Sequence, residues 1–274
     1  MADRRRVDAE LVERGLVESR ARAQALILAG LVFSGERRVL KAGEPITVDR
    51  PLEVRGRDHP WVSRGGLKLV AGLDHFSIDP TGSVALDVGA STGGFTDVLL
   101  SRGAARVHAV DVGHGQLAWK LRTDPRVVVH ERTNARTLTA AEIPDPIDMI
   151  VCDASFIGLE VVLPAALALA APGAWLVALI KPQFEVGRDR VGKGGVVRDP
   201  ELHREVCARI TAWLAARPGW RVLGIEKSPI LGPEGNREFL IAGRFAEKIL
   251  RKNIASGQEG IDQIERIPHV SGNP

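Results

Sequence analysis

Short apolar runs alternate with amphipathic segments from residue 83 onward. The runs have the length of strands and are apolar throughout, which is typical of a parallel sheet covered on both faces. They predict strands at 84–88, 107–110, 127–130, 147–152, 174–181, 221–228 and 238–243. Because strands and helices alternate, we predict a doubly wound α/β sheet. The connection over 230–236 suits a hairpin, so the last strand is expected to be antiparallel.

One apolar stretch, 161–180, is long enough to resemble a membrane span of about 20 residues. Pro164 and the pair Pro172-Gly173 interrupt it. We therefore predict a buried helix over 164–171, a turn at 172–173, and then the buried strand that begins at residue 174. No membrane association is expected.

The first 58 residues follow a different pattern. Two short helices are predicted, over 7–12 and 20–29, each ended by a glycine, and Ser19 is expected to cap the second. Two short strands, 32–35 and 46–48, come after them. A segment of about 58 residues that contains two helices and a small sheet can fold alone, so we predict a small α+β domain.

These patterns divide the chain into a small domain over 1–58, a linker over 59–62, a large domain over 63–246 and a tail over 247–274. Pro60 disfavours helix in the linker. Ser63 is expected to cap the first helix of the large domain. The tail is polar and contains several glycines, so it is expected to fray.

The composition indicates a globular protein, and the charge favours an acidic partner. Of 274 residues, 45% are hydrophobic and 26% are charged, which excludes a disordered or collagen-like chain. The net charge is 37 − 34 = +3, and the pI of about 9.1 favours nucleic acid as a partner. Only two cysteines are present, so a reducing cytoplasm is the expected location.

Arginines are concentrated at the starts of the two N-terminal helices. Arg4, Arg6, Arg20 and Arg22 fall there, where the helix dipole favours acidic residues instead. Arginine at this position costs free energy unless an anion is bound, so the group predicts contact with RNA phosphates. A solvated face is the alternative, because acidic residues are interspersed.

The pattern of this segment, Arg6-Val7-Asp8 followed by Gly15-Leu16-Val17-Glu18-Ser19-Arg20-Ala21-Arg22-Ala23-Gln24 and Gly30-Leu31-Val32, closely resembles the S4-like RNA-binding domain. The resemblance covers about a fifth of the chain. It implies a module that grips folded RNA through phosphates and shape. The composition agrees, because aromatics are only 4% of the residues and tyrosine is absent, which leaves few platforms for stacking single strands.

The strand over 84–88 runs into a glycine-rich turn and a helix. The candidate cofactor-binding residues here are Asp87, Gly89, Ala90, Ser91, Thr92, Gly93, Gly94 and Phe95. Glycines let the backbone approach a ligand closely, but dinucleotide enzymes have similar loops. Asp87 suits a sulfonium amino acid better than a pyrophosphate, and Asp111 can accept hydrogen bonds from ribose hydroxyls. We therefore expect S-adenosylmethionine rather than NAD, with Asn134 a candidate for the adenine side.

Charged residues follow two of the buried strands. Asp153 and Lys181 end them, and in an open α/β sheet the carboxyl ends of the strands line the ligand crevice. Glu238 opens the last strand, and Lys68 lies on the helix before the sheet. The four residues resemble the Lys-Asp-Lys-Glu set of FtsJ-like RNA ribose 2′-O-methyltransferases. A structural ion-pair network is the alternative.

With the S4-like segment in front, the chain to about residue 245 resembles the TlyA family, whose members are sometimes labelled haemolysins. The resemblance implies a class I (Rossmann-like) methyltransferase fold and methylation of cytidine 2′-hydroxyls in ribosomal RNA. The Arg4–Arg6 segment resembles the longer form of the family, which acts on both 16S and 23S rRNA. Two alternatives are a non-enzymatic RNA-binding or ribosome-assembly factor and a membrane-active haemolysin, the latter suggested by 161–180.

A ribose hydroxyl must lose its proton as it attacks a methyl group, and Lys181 is the expected general base. A lysine accepts a proton only in its neutral form, which desolvation and the neighbouring charge of Lys68 would favour. Asp153 and Glu238 are expected to hold the lysines in place. Proton transfer typically contributes about 10²–10⁴-fold, whereas alignment can contribute ~7–11 kcal/mol. Positioning is therefore the larger effect.

Further RNA contacts are expected around this site, from Arg64 and from Phe184, which follows Lys181 and can stack on a base turned out of its helix. Phe156 is a second candidate for such stacking, and core packing is the alternative for each of the two rings. Arg188, Arg190 and Lys193 belong to a glycine-rich loop that we expect either to close on RNA phosphates or to be a solvated loop. No metal site is predicted, because the cysteines are isolated and the histidines show no paired ligand spacing.

Overall fold

The computed structural model describes residues 4–17, 19–28, 30–55, 59–232 and 235–246, except for the side chain of Arg188. The predicted tail over 247–274 and the predicted domain boundary at residue 58 lie outside the described residues. Within these ranges the chain forms an N-terminal unit with two small sheets and a larger unit around a sheet of seven strands.

The N-terminal unit contains helices α1 (Val7–Glu13) and α2 (Arg20–Leu28). Its strands are β1 (Arg4–Arg6), β2 (Val32–Ser34), β3 (Arg37–Arg38), β4 (Pro45–Thr47) and β5 (Glu53–Val54). β1 pairs with β4, and β2 pairs with β3 and β5, all antiparallel. Both predicted helices are present, and Ser19 Oγ accepts a hydrogen bond from Arg22 N at 3.2 Å. The pattern missed β1, β3 and β5, because such short polar strands show no alternation.

A buried carboxylate lies where β1, α1 and α2 meet. Asp8 is fully buried and accepts hydrogen bonds from Arg6 Nε at 3.0 Å, Arg20 Nη2 at 3.1 Å and Gln24 Nε2 at 3.0 Å. These bonds, that of Arg6 above all, hold the pKa of Asp8 well below its usual range against the opposing effect of burial. Two of the arginines predicted to bind RNA therefore also hold this unit together.

The strands of the central sheet are β6 (Val84–Val88), β7 (Arg106–Val110), β8 (Val127–His130), β9 (Ile147–Cys152), β10 (Ala170–Ile180), β11 (Trp220–Lys227) and β12 (Phe239–Phe245). Their order is β11-β12-β10-β9-β6-β7-β8. β6 to β10 pair in parallel, and β12 is antiparallel to both of its neighbours. The chain order reverses between β6 and β9, and in open α/β sheets ligands bind beyond the strand ends at such a point.

Helices cover both faces of this sheet, which confirms the doubly wound prediction. They are α3 (Gly65–His75), α4 (Gly94–Ser101), α5 (Trp119–Arg122), α6 (Leu159–Ala168), α7 (Pro182–Glu185) and α8 (Pro200–Ala215). Ile150 of β9 packs in the core with α6 and α8, whereas its neighbours Met149 and Val151 pack in the core with α3 and α4. Burial on both faces explains why the strands are apolar without interruption.

The boundaries predicted for 161–180 are wrong. α6 begins at Leu159, with Pro164 inside it, and Pro172-Gly173 lies within β10 instead of forming a turn. The pairing of β10 with β9 shifts register between Ala170 and Trp175, so a proline without an N–H group is accommodated at an irregularity. Within the described ranges, no helix has the length and apolar character needed to cross a membrane.

Three smaller corrections concern residues near the site. α3 begins one residue later than a cap at Ser63 would require: Arg64 occupies the N-cap position, and only the backbone oxygen of Ser63 accepts a hydrogen bond, from Gly66 N at 3.1 Å. Lys181 follows β10 instead of ending it, and Glu238 precedes β12 instead of opening it. Asp199 caps α8, because its carboxylate accepts a hydrogen bond from Glu201 N at 2.9 Å.

Replacing Asp8 by asparagine is expected to weaken the N-terminal unit at neutral pH by about 1–3 kcal/mol, the cost of disrupting a buried hydrogen-bonded charge. Because the folded-state pKa of Asp8 is depressed, its stabilising contribution is present above its unfolded pKa of about 3.9 and is lost as the pH falls. The difference between wild type and Asp8→Asn should therefore shrink as the solution is acidified. Hydrogen exchange of the β2 amides measures this difference.

Glu13→Gln is the matched control for Asp8→Asn, because it removes a carboxylate of the same helix that is 71% exposed. It should change the stability by no more than about 0.5 kcal/mol. An effect of Asp8→Asn that stays constant with pH would contradict the assignment of a depressed pKa to Asp8.

Candidate active site

Residues 89–93 form the turn between β6 and α4, and together with Gly94, the first residue of α4, they are called the glycine loop. Gly89 has a φ of +82° and Gly93 a φ of +94°, in the left-handed region that favours glycine. A Cβ atom on Gly89 would lie 2.8 Å from Ala154 Cα, and one on Gly93 would lie 2.2 Å from Leu121 Cδ1. Both positions therefore require glycine for close packing as well as for conformation.

Asp87 lies beneath the glycine loop, where it lines none of the cavities described below. It is fully buried. Its Oδ2 accepts hydrogen bonds from Thr96 N at 3.0 Å and Thr96 Oγ1 at 2.7 Å, whereas its Oδ1 has no hydrogen-bond partner. Burial, together with the charges of Asp153 and Asp111, raises the pKa of Asp87 to about 7, although the bonds from Thr96 oppose the shift. A nearby cation would favour its ionised form.

A cavity of about 780 Å³, called the large cavity, lies beyond the ends of β6 and β7. Asp111 lines it, and its oxygens accept hydrogen bonds from Ser91 N at 2.8 Å and Gly113 N at 2.7 Å. Asn134 also lines it and caps the short helix that follows. Val112, which is 73% exposed, adds an apolar surface. The cavity thus offers carboxylate acceptors together with apolar wall, as a nucleoside requires.

Two buried lysines are each held by a carboxylate of their own. Lys68 Nζ lies 2.6 Å from Glu238 Oε2. Lys181 Nζ lies 2.6 Å from Asp153 Oδ1 and donates hydrogen bonds to Asp153 O at 3.0 Å and Ser155 Oγ at 2.9 Å. Both lysines are only 5% exposed. The four residues predicted from the sequence therefore form two separate ion pairs.

Two smaller cavities meet at Lys181. The first, called the loop cavity, has a volume of about 200 Å³ and is lined by the glycine loop and Lys68. The second, called the aromatic cavity, has a volume of about 370 Å³. Its lining includes Phe156, Gln183, Phe184, Asn236 and Glu238. Lys181 and Ser155 line both cavities, and Ser155 also lines the large cavity. Lys181 is therefore accessible from the glycine loop and from the aromatic side.

An aromatic pair forms one wall of the aromatic cavity. The ring centroids of Phe156 and Phe184 are 5.0 Å apart, with 46° between the ring planes. Phe156 is 90% exposed and has a φ of +64°, a conformation that is unfavourable for a bulky side chain. An exposed ring held on strained backbone is typical of a ligand contact. Core packing, the alternative weighed for these aromatics, does not describe Phe156.

Glu185 connects the chain segments that follow β9 and β10. Its side chain is 3% exposed. Oε1 accepts a hydrogen bond from Leu159 N at 2.8 Å, and Oε2 accepts one from Arg209 Nη2 at 2.9 Å. Burial raises the pKa of Glu185, and these two partners oppose that shift. The carboxylate thereby ties α7, next to Lys181, to the start of α6 and to α8.

Four of the predicted RNA-binding side chains have accessible positions. Arg4, Arg22 and Lys193 are exposed. Arg64 lines the loop cavity, directly beside the glycine loop. These positions are compatible with phosphate contacts.

The other predicted basic residues form ion pairs within the protein, except for Arg188, whose side chain lies outside the described residues. Arg6 and Arg20 bind the buried carboxylate of the N-terminal unit. Arg190 donates a hydrogen bond to Glu205 of α8 at 2.7 Å, so the loop over 187–195 is anchored at this point, which the sequence did not indicate.

Sequence reasoning missed three residues of this site. Ser155 contacts the Lys181 amine, Val112 forms an apolar wall of the large cavity, and Gln183 lines the aromatic cavity. Each lies within two residues of a predicted one, in the segment that directly follows a strand. Their position at the carboxyl end of the sheet was the available signal.

The strand order, the glycine loop after β6 and the antiparallel β12 define a class I methyltransferase preceded by an S4 domain. Residues 61–245 match the family of FtsJ-like methyltransferases, and residues 5–50 match the S4 domain. The chain belongs to the FtsJ-like methyltransferase family, in the group that includes TlyA.

Several relatives cover nearly the whole chain. It is 52% identical over 243 residues to the 16S/23S rRNA (cytidine-2′-O)-methyltransferase TlyA of Mycobacterium tuberculosis. The match covers 88% of this chain and 90% of the relative. It is 39% identical over 236 residues to hemolysin A of Brachyspira hyodysenteriae, with coverages of 86% and 98%. A solved structure of a Streptococcus thermophilus protein named as a hemolysin has a TM-score of 0.73 and 39% identity, with coverages of 91% and 92%. These findings confirm the predicted family and fold.

Glu185→Ala is expected to lower the stability of the larger unit by about 1–3 kcal/mol, because Leu159 N–H and Arg209 lose a buried partner. Urea unfolding followed by tryptophan fluorescence measures this change. Glu205→Ala is the control, since it removes the exposed partner of Arg190, and an exposed ion pair contributes at most about 1 kcal/mol. Equal losses of unfolding free energy in the two variants would argue against a connecting role for Glu185.

Proposed function

We propose that this protein is an S-adenosylmethionine-dependent methyltransferase that modifies the ribose 2′-hydroxyl of cytidine in ribosomal RNA, in the cytoplasm. The observation that carries the proposal is the position of Lys181 and Ser155, which line both the loop cavity and the aromatic cavity. A methyl donor on one side and a nucleoside on the other would meet at the Lys181 amine. The activity of the TlyA relative is of the same kind.

The residues around the glycine loop fit S-adenosylmethionine. The large cavity offers the Asp111 carboxylate for ribose hydroxyls and Val112 for an apolar ring, with Asn134 nearby. The unpartnered Oδ1 of Asp87 beneath the loop supplies negative charge close to a cationic ligand. A pyrophosphate would be repelled by the same carboxylates, which argues against NAD. When bound, S-adenosylmethionine supplies a methyl group on a sulfonium.

Lys181 is proposed to take the proton of the ribose hydroxyl. Its ammonium donates hydrogen bonds to Asp153 O and Ser155 Oγ, and Asp153 Oδ1 lies 2.6 Å away as its ion-pair partner, which makes three contacts for three N–H groups. A neutral amine keeps two donors and gains a lone pair, so it can retain two of these contacts while the lone pair faces the hydroxyl. With S-adenosylmethionine bound, the ribose oxygen would form its bond to the methyl carbon as the bond from that carbon to sulfur breaks and leaves a neutral thioether. The O–H proton would pass to Lys181 Nζ, where Asp153 stabilises the ammonium.

Lys68 and Glu238, which form an ion pair, are proposed to support this proton transfer. Lys68 lines the loop cavity together with Lys181, so its ammonium lies on the wall of the same cavity as the proposed base. Glu238 is fully buried and fixes the Lys68 ammonium at 2.6 Å. Without Glu238, the Lys68 charge would be buried and unpaired, at a cost of about 3–5 kcal/mol.

The N-terminal unit is proposed to hold the rRNA. Arg4 and Arg22 are exposed, and the side chains of Arg6 and Arg20 remain 53% and 56% accessible while they bind Asp8. Arginines whose orientation is fixed in this way lose less side-chain freedom on binding phosphate. Arg64 lines the loop cavity and Lys193 is exposed, and with the loop that carries Arg188 and Arg190 they are proposed to add phosphate contacts near the active site. The substrate is proposed to be a ribosomal subunit or its rRNA.

Lys181→Ala is expected to lower the methylation rate by at least about 10²-fold, because the general base and its positioned contacts are removed. The assay transfers labelled methyl groups to subunits from cells that lack this chain, and mapping of ribose methylation in rRNA identifies the product. Lys227→Ala, at an exposed position on β11, is the control and should retain full activity. An unchanged rate in Lys181→Ala would refute the mechanism, and subunit binding without any methylation by the wild type would favour a non-enzymatic assembly factor.

The affinity for S-adenosylmethionine is expected to rise about tenfold between about pH 6 and about pH 8. A carboxyl with a pKa of about 7 is mostly protonated at the lower pH, and a cationic ligand binds its ionised form more tightly. Titration calorimetry at both pH values measures this rise. Asp87→Asn, which retains an acceptor for Thr96, should show a flatter dependence. The same pH dependence in both proteins would assign the effect to the cofactor's own amine.

A further inference from the structure

Two buried acceptor atoms belong to residues that line the aromatic cavity, and neither has a hydrogen-bond partner. They are Oε1 of Gln183 and Oε1 of Glu238. A buried acceptor left unpaired costs about 1–3 kcal/mol, and native structures contain few of them. Neither oxygen is accessible from the cavity in this conformation, so a ligand that brings a hydrogen-bond donor would satisfy one of them once its side chain turns toward the cavity.

Asn236 differs from Gln183 because both ends of its amide have hydrogen-bond partners within the protein. It lines the same cavity, but its Oδ1 accepts a hydrogen bond from Val197 N at 3.0 Å and its Nδ2 donates one to Gly195 O at 2.9 Å. Its amide is used to hold the neighbouring loop. Gln183 has no such internal partner for its carbonyl oxygen.

Of the two unpartnered acceptors, Gln183 is the better placed for a ligand. Oε2 of Glu238 is bound to Lys68, and its Oε1 packs closely against the chain, because a Cβ atom on Gly232 would lie 2.2 Å from it. Gln183 lies between Lys181 and Phe184, on the short helix α7 that Glu185 ties in place. Its side chain is therefore on a fixed support beside the proposed base and the aromatic wall.

We propose that Gln183 selects the target base by accepting a hydrogen bond from the exocyclic amine of cytosine. This inference rests on the proposed function. A base turned out into the aromatic cavity can stack on Phe156 and Phe184. Cytosine has an amino donor at the position where uracil has a carbonyl acceptor. Uracil would thus leave the Gln183 carbonyl unpaired and facing another acceptor, and sites of this kind reject analogues that lack the matching group.

The test compares Gln183→Leu with wild type on two substrates: reconstituted ribosomal subunits whose mapped target nucleotide is cytidine, and the same subunits with uridine there. Wild type is expected to prefer cytidine, and the ratio of kcat/KM values for cytidine and uridine should fall about tenfold or more in the variant. The fall should come from slower methylation of cytidine. Gln183→Glu keeps an acceptor and should retain the preference.

Asn236→Ser is the matched control, since it perturbs the same cavity through the loop and should slow both substrates to the same extent. S-adenosylmethionine binding by calorimetry confirms that each variant is folded. A cytidine-to-uridine ratio in Gln183→Leu equal to that of wild type would overturn the assignment, as would equal use of both substrates by wild type. A wild-type protein that methylates neither substrate would instead refute the proposed function itself.

Discussion

The site depends on the burial of two ammonium groups at the carboxyl end of the central sheet. A lysine that is only 5% exposed is strongly disfavoured as a cation unless a carboxylate and further acceptors replace water. The chain provides Glu238 for Lys68, and Asp153 with Ser155 for Lys181. Because each pair joins separate elements, forming the ion pairs also aligns α3, β9, β10 and β12 around the cavities. Stability and chemistry therefore place the same requirement on these residues.

Positioning accounts for most of what the surrounding structure does. Lys181 lies where the loop cavity and the aromatic cavity meet, and Glu185 fixes the segment after it to α6 and α8. The glycine loop is held by close contacts that leave no room for a Cβ atom at Gly89. Rigid placement of this kind suits a transfer in which hydroxyl, methyl carbon and leaving sulfur must be in line, because alignment can contribute more than proton transfer does.

Arginines of the N-terminal unit show that one charge can serve folding and binding together. Asp8 is fully buried and depends on Arg6 and Arg20, while about half of each guanidinium side chain remains accessible. The arginines near the helix starts thus have an internal anion, which resolves the apparent conflict with the helix dipole. The same pairing presents them in a fixed orientation to RNA phosphate.

Much of the fold was determined locally and was therefore readable from the sequence. Uninterrupted apolar runs identified the parallel strands, glycines at 89, 93 and 94 identified the turn before α4, and Lys181 and Asp153 were recognisable as polar residues directly after apolar runs. Tertiary structure decided which charges pair. Lys68 and Glu238 are 170 residues apart, and only the sheet order brings them together. It also decided that Pro172 lies in a strand, that Arg6 is partly internal and that the Gln183 carbonyl is unpaired. Periodicity and turn chemistry depend on neighbours in the chain, whereas hydrogen-bond satisfaction depends on every group that packing brings within reach.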